Sequence, residues 1–220
     1  MIAEFILNRF MPNQSGQFPL RGTKQAGSLA VVNVEQEGLE MSRAGRRFHI
    51  GILSGVTGIA PVQAIPTTAA QWLIYNTDSA KSLVFDAIGA LLASGTAGAG
   101  IVVLGAIVAP GTLPTTLPAA NAANILPSAS NNGTQKSPSV AVIASAQTLA
   151  AAPKGGWVGL AESVSAATAI LSVACMNRDL RGKLIVPPLC GLALVVTSPT
   201  GTTPLYTPAG SWTEIELDNE

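Results

Sequence analysis

Residues 71–93 read Gln71-Trp72-Leu73-Ile74-Tyr75-Asn76-Thr77-Asp78-Ser79-Ala80-Lys81-Ser82-Leu83-Val84-Phe85-Asp86-Ala87-Ile88-Gly89-Ala90-Leu91-Leu92-Ala93. An apolar run, a turn-forming Asn76-Thr77-Asp78-Ser79 and a second apolar run follow one another, which predicts a β-hairpin at the centre of a sheet. In the second run Leu83, Phe85, Ala87, Gly89 and Leu91 fall on one face, and Ser82, Val84, Asp86, Ile88 and Ala90 on the other. This is the two-residue period of a strand with one dry side. Asn, Asp and Ser suit the turn because their short side chains hydrogen-bond nearby backbone and tolerate bent conformations.

Outward from this stretch the pattern repeats in shorter pieces. Ser28–Glu35, Phe48–Leu53, Pro61–Ile65, Ile101–Ala109, Val140–Ser145, Gly156–Ala161, Ala169–Ala174, Lys183–Val186 and Leu192–Thr197 read as strands, separated by Gly, Pro, Asn and Ser. The last, Ser211–Leu217, alternates Thr213, Ile215 and Leu217 against Trp212, Glu214 and Glu216, as a strand half exposed to water does. Many short strands without a long amphipathic helix predict an all-β, antiparallel sandwich, specifically a jelly roll.

Domain organisation follows from where charge sits. Residues 1–47 carry ten of the 24 charges and are rich in turn formers, so they read as an extended N-terminal arm. Residues 48–220 form the compact body. Arg43, Arg46 and Arg47 cluster just before Phe48, with Arg9 and Arg21 upstream. These five are candidate contacts to an acidic partner surface, set against the plainer reading of a solvated turn.

Composition narrows the class further. Charged residues make up 11% of the 220, against roughly 25% in ordinary soluble domains, and mean hydropathy is +0.41. So little charge cannot cover a monomer comfortably, which leaves a membrane span or burial against other protein surfaces. The segment 87–109 is long enough to span. Its centre, however, is Ser94-Gly95-Thr96-Ala97-Gly98, and its flanks lack basic or aromatic anchors, so strand, glycine turn, strand is the expectation. A net charge of zero argues against nucleic acid and against an anionic membrane surface. The N-terminus has no basic n-region followed by a long apolar core, so assembly in a cytoplasm is expected.

Reactive chemistry is sparse. His49 is the one histidine and stands in an expected strand, which favours a structural role over a Ser-His-Asp or Cys-His site. Cys175 and Cys190 lie fifteen apart beside apolar residues; they read as buried thiols, and no second histidine completes a metal site. Glu214 and Glu216 could in principle work as an acid–base pair, but acids on a strand face usually keep an edge soluble. The expectation is no enzyme, no metal and no cofactor. Residues 111–138, rich in Pro, Ala, Asn and Ser, read as a long loop, and Asn132-Gly133-Thr134 as a turn within it.

Three segments carry a family resemblance: Gly38-Leu39-Glu40-Met41-Ser42-Arg43-Ala44-Gly45-Arg46-Arg47-Phe48; Trp72 to Val84; and Gly182 to Val196 with the closing Ser211-Trp212-Thr213-Glu214. Together they resemble the jelly-roll decoration, or cement, proteins that coat the heads of tailed bacteriophages. The turn departs from that pattern in lacking Pro or Gly, and the 111–138 loop is unusually long. The resemblance implies a homotrimer seated on the capsid exterior and bound to the major capsid protein, a structural virion component without catalysis. The alternative is a trimeric jelly-roll binding module whose 111–138 loop recognises a carbohydrate or cell surface. The polar content of that loop favours it, and the lack of any aromatic residue there opposes it.

Overall fold

The computed structural model describes residues 21–22, 29–30, 41–42, 45–50, 58–117, 128–130, 139–163, 176–199 and 203–216. Twelve strands are present among them: β1 (Arg21–Gly22), β2 (Leu29–Ala30), β3 (Arg47–Ile50), β4 (Ala69–Asn76), β5 (Lys81–Ser94), β6 (Ile101–Val108), β7 (Ser128–Ser130), β8 (Ala141–Thr148), β9 (Val158–Ser163), β10 (Met176–Val186), β11 (Gly191–Thr197) and β12 (Leu205–Glu216). β1 and β2 pair with each other. The remaining ten form two antiparallel five-stranded sheets, ordered β10-β5-β12-β3-β7 and β8-β4-β11-β6-β9. The all-β sandwich expected from the sequence is therefore what the chain forms.

Between the sheets lies the main core, built from inward residues of both. Phe48, Leu83, Phe85, Ile88 and Trp212 come from the first sheet, and Ile74, Ile101, Val103, Ile143, Leu192 and Leu194 from the second. Trp212 is fully buried and stacks with Phe48 at 6.2 Å between ring centroids, and Phe85 lies tilted against it at 5.8 Å. Each such aromatic or aliphatic side chain stabilises the fold by about 1.5–3 kcal/mol through its burial. A second apolar cluster covers the outer face of the second sheet. There Leu73, Tyr75, Val108 and Ala193 lie under Leu113, Leu149 and the half-buried Trp157.

The central stretch folds differently from a hairpin. β4 pairs with β8 and β11, whereas β5 pairs with β10 and β12 in the opposite sheet. Residues 76–81 form a corner between sheets. Asp78 Oδ1 accepts the N–H groups of Ala80 and Lys81, and the Asp78 carbonyl accepts the Leu189 N–H, turning the chain across the sandwich. Both edges of β4 are taken, one by β8 and the other by β11, which leaves none for β5.

The face assignments also change. In β5, Leu83 and Phe85 point inward, but so do Ile88, Ala90 and Leu92, because a β-bulge at Asp86 shifts the alternation by one. In β12 the inward face is that of Trp212 and Glu214, while Thr213 and Ile215 are half-exposed on the outside. Glu214, read from the sequence as an exposed strand acid, is thus on the dry side. β12 is a central strand twelve residues long, with β5 and β3 on its two sides.

Other expectations are met or trimmed. Ala87–Ala109 is strand, turn, strand, with Gly95 and Gly100 at φ of +83° and +77°; a Cβ on Gly95 would sit 2.8 Å from the Thr203 carbonyl. Among the described residues no helix is long and apolar enough to cross a membrane. Residues 61–65 form no strand: Pro61 has no N–H to give, and only Val62 makes a single parallel bridge, to Thr197. The 111–138 region is not wholly loop. A 3-10 turn (Pro110–Thr112) opens it, and β7 pairs with β3 at the edge of the first sheet. Cys190 is a free thiol and only partly buried. The expected strand at 169–174, Cys175 and the Asn132-Gly133-Thr134 turn lie outside the described residues, as does all of the 28–35 strand except Leu29–Ala30.

Candidate functional site

Of the five arginines, Arg21, Arg46 and Arg47 fall among the described residues. Arg9 and Arg43 lie outside the described residues, and Arg21 opens β1 opposite Ala30. Arg46 is exposed, but its backbone is part of the body: its carbonyl accepts the Glu214 N–H at 2.8 Å and its N–H reaches the Met41 carbonyl at 2.9 Å. Arg47 is the first residue of β3 and half-buried, with Nε 3.1 Å from Asp86 Oδ2. It reaches across β12 to the bulge on β5, and the contact is an ion pair without a directed hydrogen bond. Arg47 is thus an internal tie on the outer face of the first sheet and not a free contact of an arm.

His49 is half-buried on the same strand, opposite Ser211 of β12 and Ala129 of β7. Among the described residues no three His, Cys, Asp or Glu side chains come together in a way that could hold a metal ion.

Glu214 is where the structure departs most from the sequence reading. Its side chain is buried, not an edge acid, whereas Glu216 at the end of β12 is exposed. Three donors converge on the single oxygen Oε1: Ser139 Oγ at 2.6 Å, the Val140 N–H at 3.0 Å and Trp212 Nε1 at 3.4 Å. Burial pushes the carboxyl above its ordinary value, against the opposing pull of these donors and of the Lys81 ammonium. The two acids differ in setting: Glu214 is a fastening inside the sandwich and Glu216 a solvated end.

Two amides do the same work elsewhere. Gln71, buried in β4, donates from Nε2 to the Ala60 carbonyl at 2.6 Å and accepts the Val196 N–H at Oε1. It braces residues 59–62, which bridge from β12 of one sheet to β11 of the other. Asn76, fully buried, donates from Nδ2 to the carbonyls of Lys81 at 2.7 Å and Pro187 at 3.1 Å, and accepts the Asp78 N–H at 3.1 Å. Asp78 itself is held below the ordinary carboxylate range by the N–H groups of Ala80 and Lys81.

Large apolar side chains, by contrast, face solvent. Ile65, Leu117, Val158, Ile185 and Leu189 are each at least 40% exposed. Leu189 holds a left-handed conformation (φ +57°) at the tip of the β10–β11 turn, fixed by its N–H bond to Asp78. Ile185 continues the outer face of the first sheet beside half-exposed Val84. Compared with protein-family models, with curated proteins and with solved structures, the chain matches none.

Proposed function

We propose that this chain is a structural assembly protein, a jelly-roll cement protein that binds the outside of a phage capsid as a homotrimer and performs no catalysis. The observation that carries the proposal is a division of labour among side chains. The buried polar groups Gln71, Asn76 and Glu214 are spent on holding the sandwich together, while large apolar groups such as Val158, Ile185 and Leu189 are presented to the outside. In a chain with only 11% charged residues, such exposed apolar groups gain from being covered by protein.

The strand order supports the jelly roll. β3, β4, β5 and β6 alternate between the sheets, and so do β9, β10, β11 and β12, the two sets interleaving as β3-β12-β5-β10 and β4-β11-β6-β9. We read the two sets as Greek keys wound together, with β7 and β8 inserted between them and added at one edge of each sheet. On this reading the partners are sibling subunits and the major capsid protein, the site of action is the virion exterior, and neither nucleic acid nor a membrane is engaged.

Residues 1–40 supply the attachment. They lie ahead of the described body segment at 45–50 and include Arg9 and Arg21. Three copies on one trimer would act at high effective concentration, so modest contacts per chain add up to tight retention on a repeating lattice. The test is deletion of 1–40, which spares Met41, Arg46 and β3. The shortened chain should stay folded and oligomeric, and should no longer bind assembled particles; unaltered binding refutes the attachment role. A glycan array separates the carbohydrate-binding alternative, because saturable glycan binding by the full chain would replace the cement reading.

A further inference from the structure

We propose that Glu214 is an acid-tolerant clamp across one end of the sandwich, holding β8 of the second sheet to β12 of the first in both of its protonation states. The geometry carries this. All three donors meet one oxygen, Oε1, and they come from both sides of the seam: Ser139 and Val140 lead into β8, and Trp212 belongs to β12. Among the described residues no donor is bonded to Oε2, so a proton can be taken up there while Oε1 still accepts from Ser139, Val140 and Trp212. The Ser139 hydroxyl also accepts the Ala141 N–H at 3.0 Å, extending the clamp into the first residue of the strand.

The clamp holds the residues that lead into β8. β7 is paired with β3 in the first sheet and β8 with β4 in the second, so the chain changes sheets between these two strands. Thr77 reinforces it from the β4–β5 corner, its N–H and Oγ1 both reaching the Val140 carbonyl at 3.0 and 2.8 Å.

Among the described residues the charged groups around Glu214 are few. Lys81 of β5 attracts its carboxylate, Glu216 of β12 is exposed beyond it, and Arg46 precedes β3 with its side chain in solvent. Arg47 turns to Asp86, and Ser139–Thr148 contributes no charged side chain. Because burial raises the carboxyl's pKa in the folded state, the folded protein binds the proton more tightly than the unfolded chain does. Stability from this group therefore rises as pH falls from above the folded value toward the ordinary one, and is lost again as pH rises.

Amide hydrogen exchange at Val140, corrected for the intrinsic rate, reads the clamp directly. In the intact chain its protection should hold or increase between pH 7 and pH 4.5. Glu214→Gln, which keeps an acceptor at Oε1 and cannot titrate, should be protected throughout and flat with pH. Glu214→Ala should lose at least about tenfold in protection, since buried donors are left without an acceptor. Should Glu214→Ala fail to fold, Ser139→Ala removes one donor alone and should give a smaller loss with the same pH trend. Loss of protection on acidification in the intact chain but not in Glu214→Gln would overturn the proposal, and so would unchanged protection in Ser139→Ala together with a pH-independent intact chain.

Discussion

Replacing Asn76 tests whether residues 76–81 turn the chain between sheets. In the corner geometry the Asn76 side chain is fully buried and joins three segments: the end of β4, the start of β5 and the end of β10. Asn76→Asp preserves shape and removes both Nδ2 donors, so the Lys81 and Pro187 carbonyls lose their partner and face a carboxylate instead. Asn76→Ala additionally strands the Asp78 N–H. At about 1 kcal/mol or more for each partly buried group left unpaired, either substitution should destabilise by about 3 kcal/mol. With a urea m-value of about 2–3 kcal/mol/M, the unfolding midpoint falls by about 1 M. Asp78→Ala, whose Oδ1 bonds are at the surface, is the internal comparison and should cost about 1 kcal/mol. In a hairpin, Asn76 would sit in a solvated turn and its loss would cost under about 0.5 kcal/mol. Equilibrium urea unfolding followed by tryptophan fluorescence distinguishes the two. Midpoints of both Asn76 variants within error of the parent would refute the corner argument.

Gly210→Ala places a Cβ 2.8 Å from both the Ala87 carbonyl oxygen and Ile88 Cδ1, so thermal unfolding should show a loss of about 1–3 kcal/mol. A double-mutant cycle on Arg47→Ala and Asp86→Ala should give a coupling of no more than about 1 kcal/mol, because both side chains are about 30% exposed; the coupling should shrink in high salt. Leu189→Gly should be neutral or stabilising by up to about 1 kcal/mol in the urea midpoint, since φ is +57° and the side chain is exposed at 41%, yet it should weaken any association that uses the tip.

Much of the fold was legible in the sequence. Ile101–Val108 and Gly191–Thr197 are dense in β-branched and aliphatic residues, and both are central strands. The corner was not legible, because an apolar run, a turn and an apolar run look the same locally whether the second run pairs with the first or crosses to another sheet. The bulge at Asp86 was also hidden: one unpaired residue inverts every later position, and nothing in Phe85-Asp86-Ala87 announces it. For β12 a usable signal existed. Trp212 shares a face with Glu214, and the largest apolar side chain marks the dry side more reliably than acids mark the wet one. With that weighting Glu214 reads as a buried carboxylate in need of donors. Those donors could not be foreseen, since Ser139 and Val140 lie 75 and 74 residues away.

The central claim, that this chain is an oligomeric cement on a capsid shell, is tested most directly by density-gradient centrifugation of assembled phage heads. The account predicts that the full chain bands with the heads, elutes on its own as a detergent-free trimer by light scattering, and raises the temperature at which the heads open. A stable monomer that stays at the top of the gradient and leaves the opening temperature unchanged would contradict it.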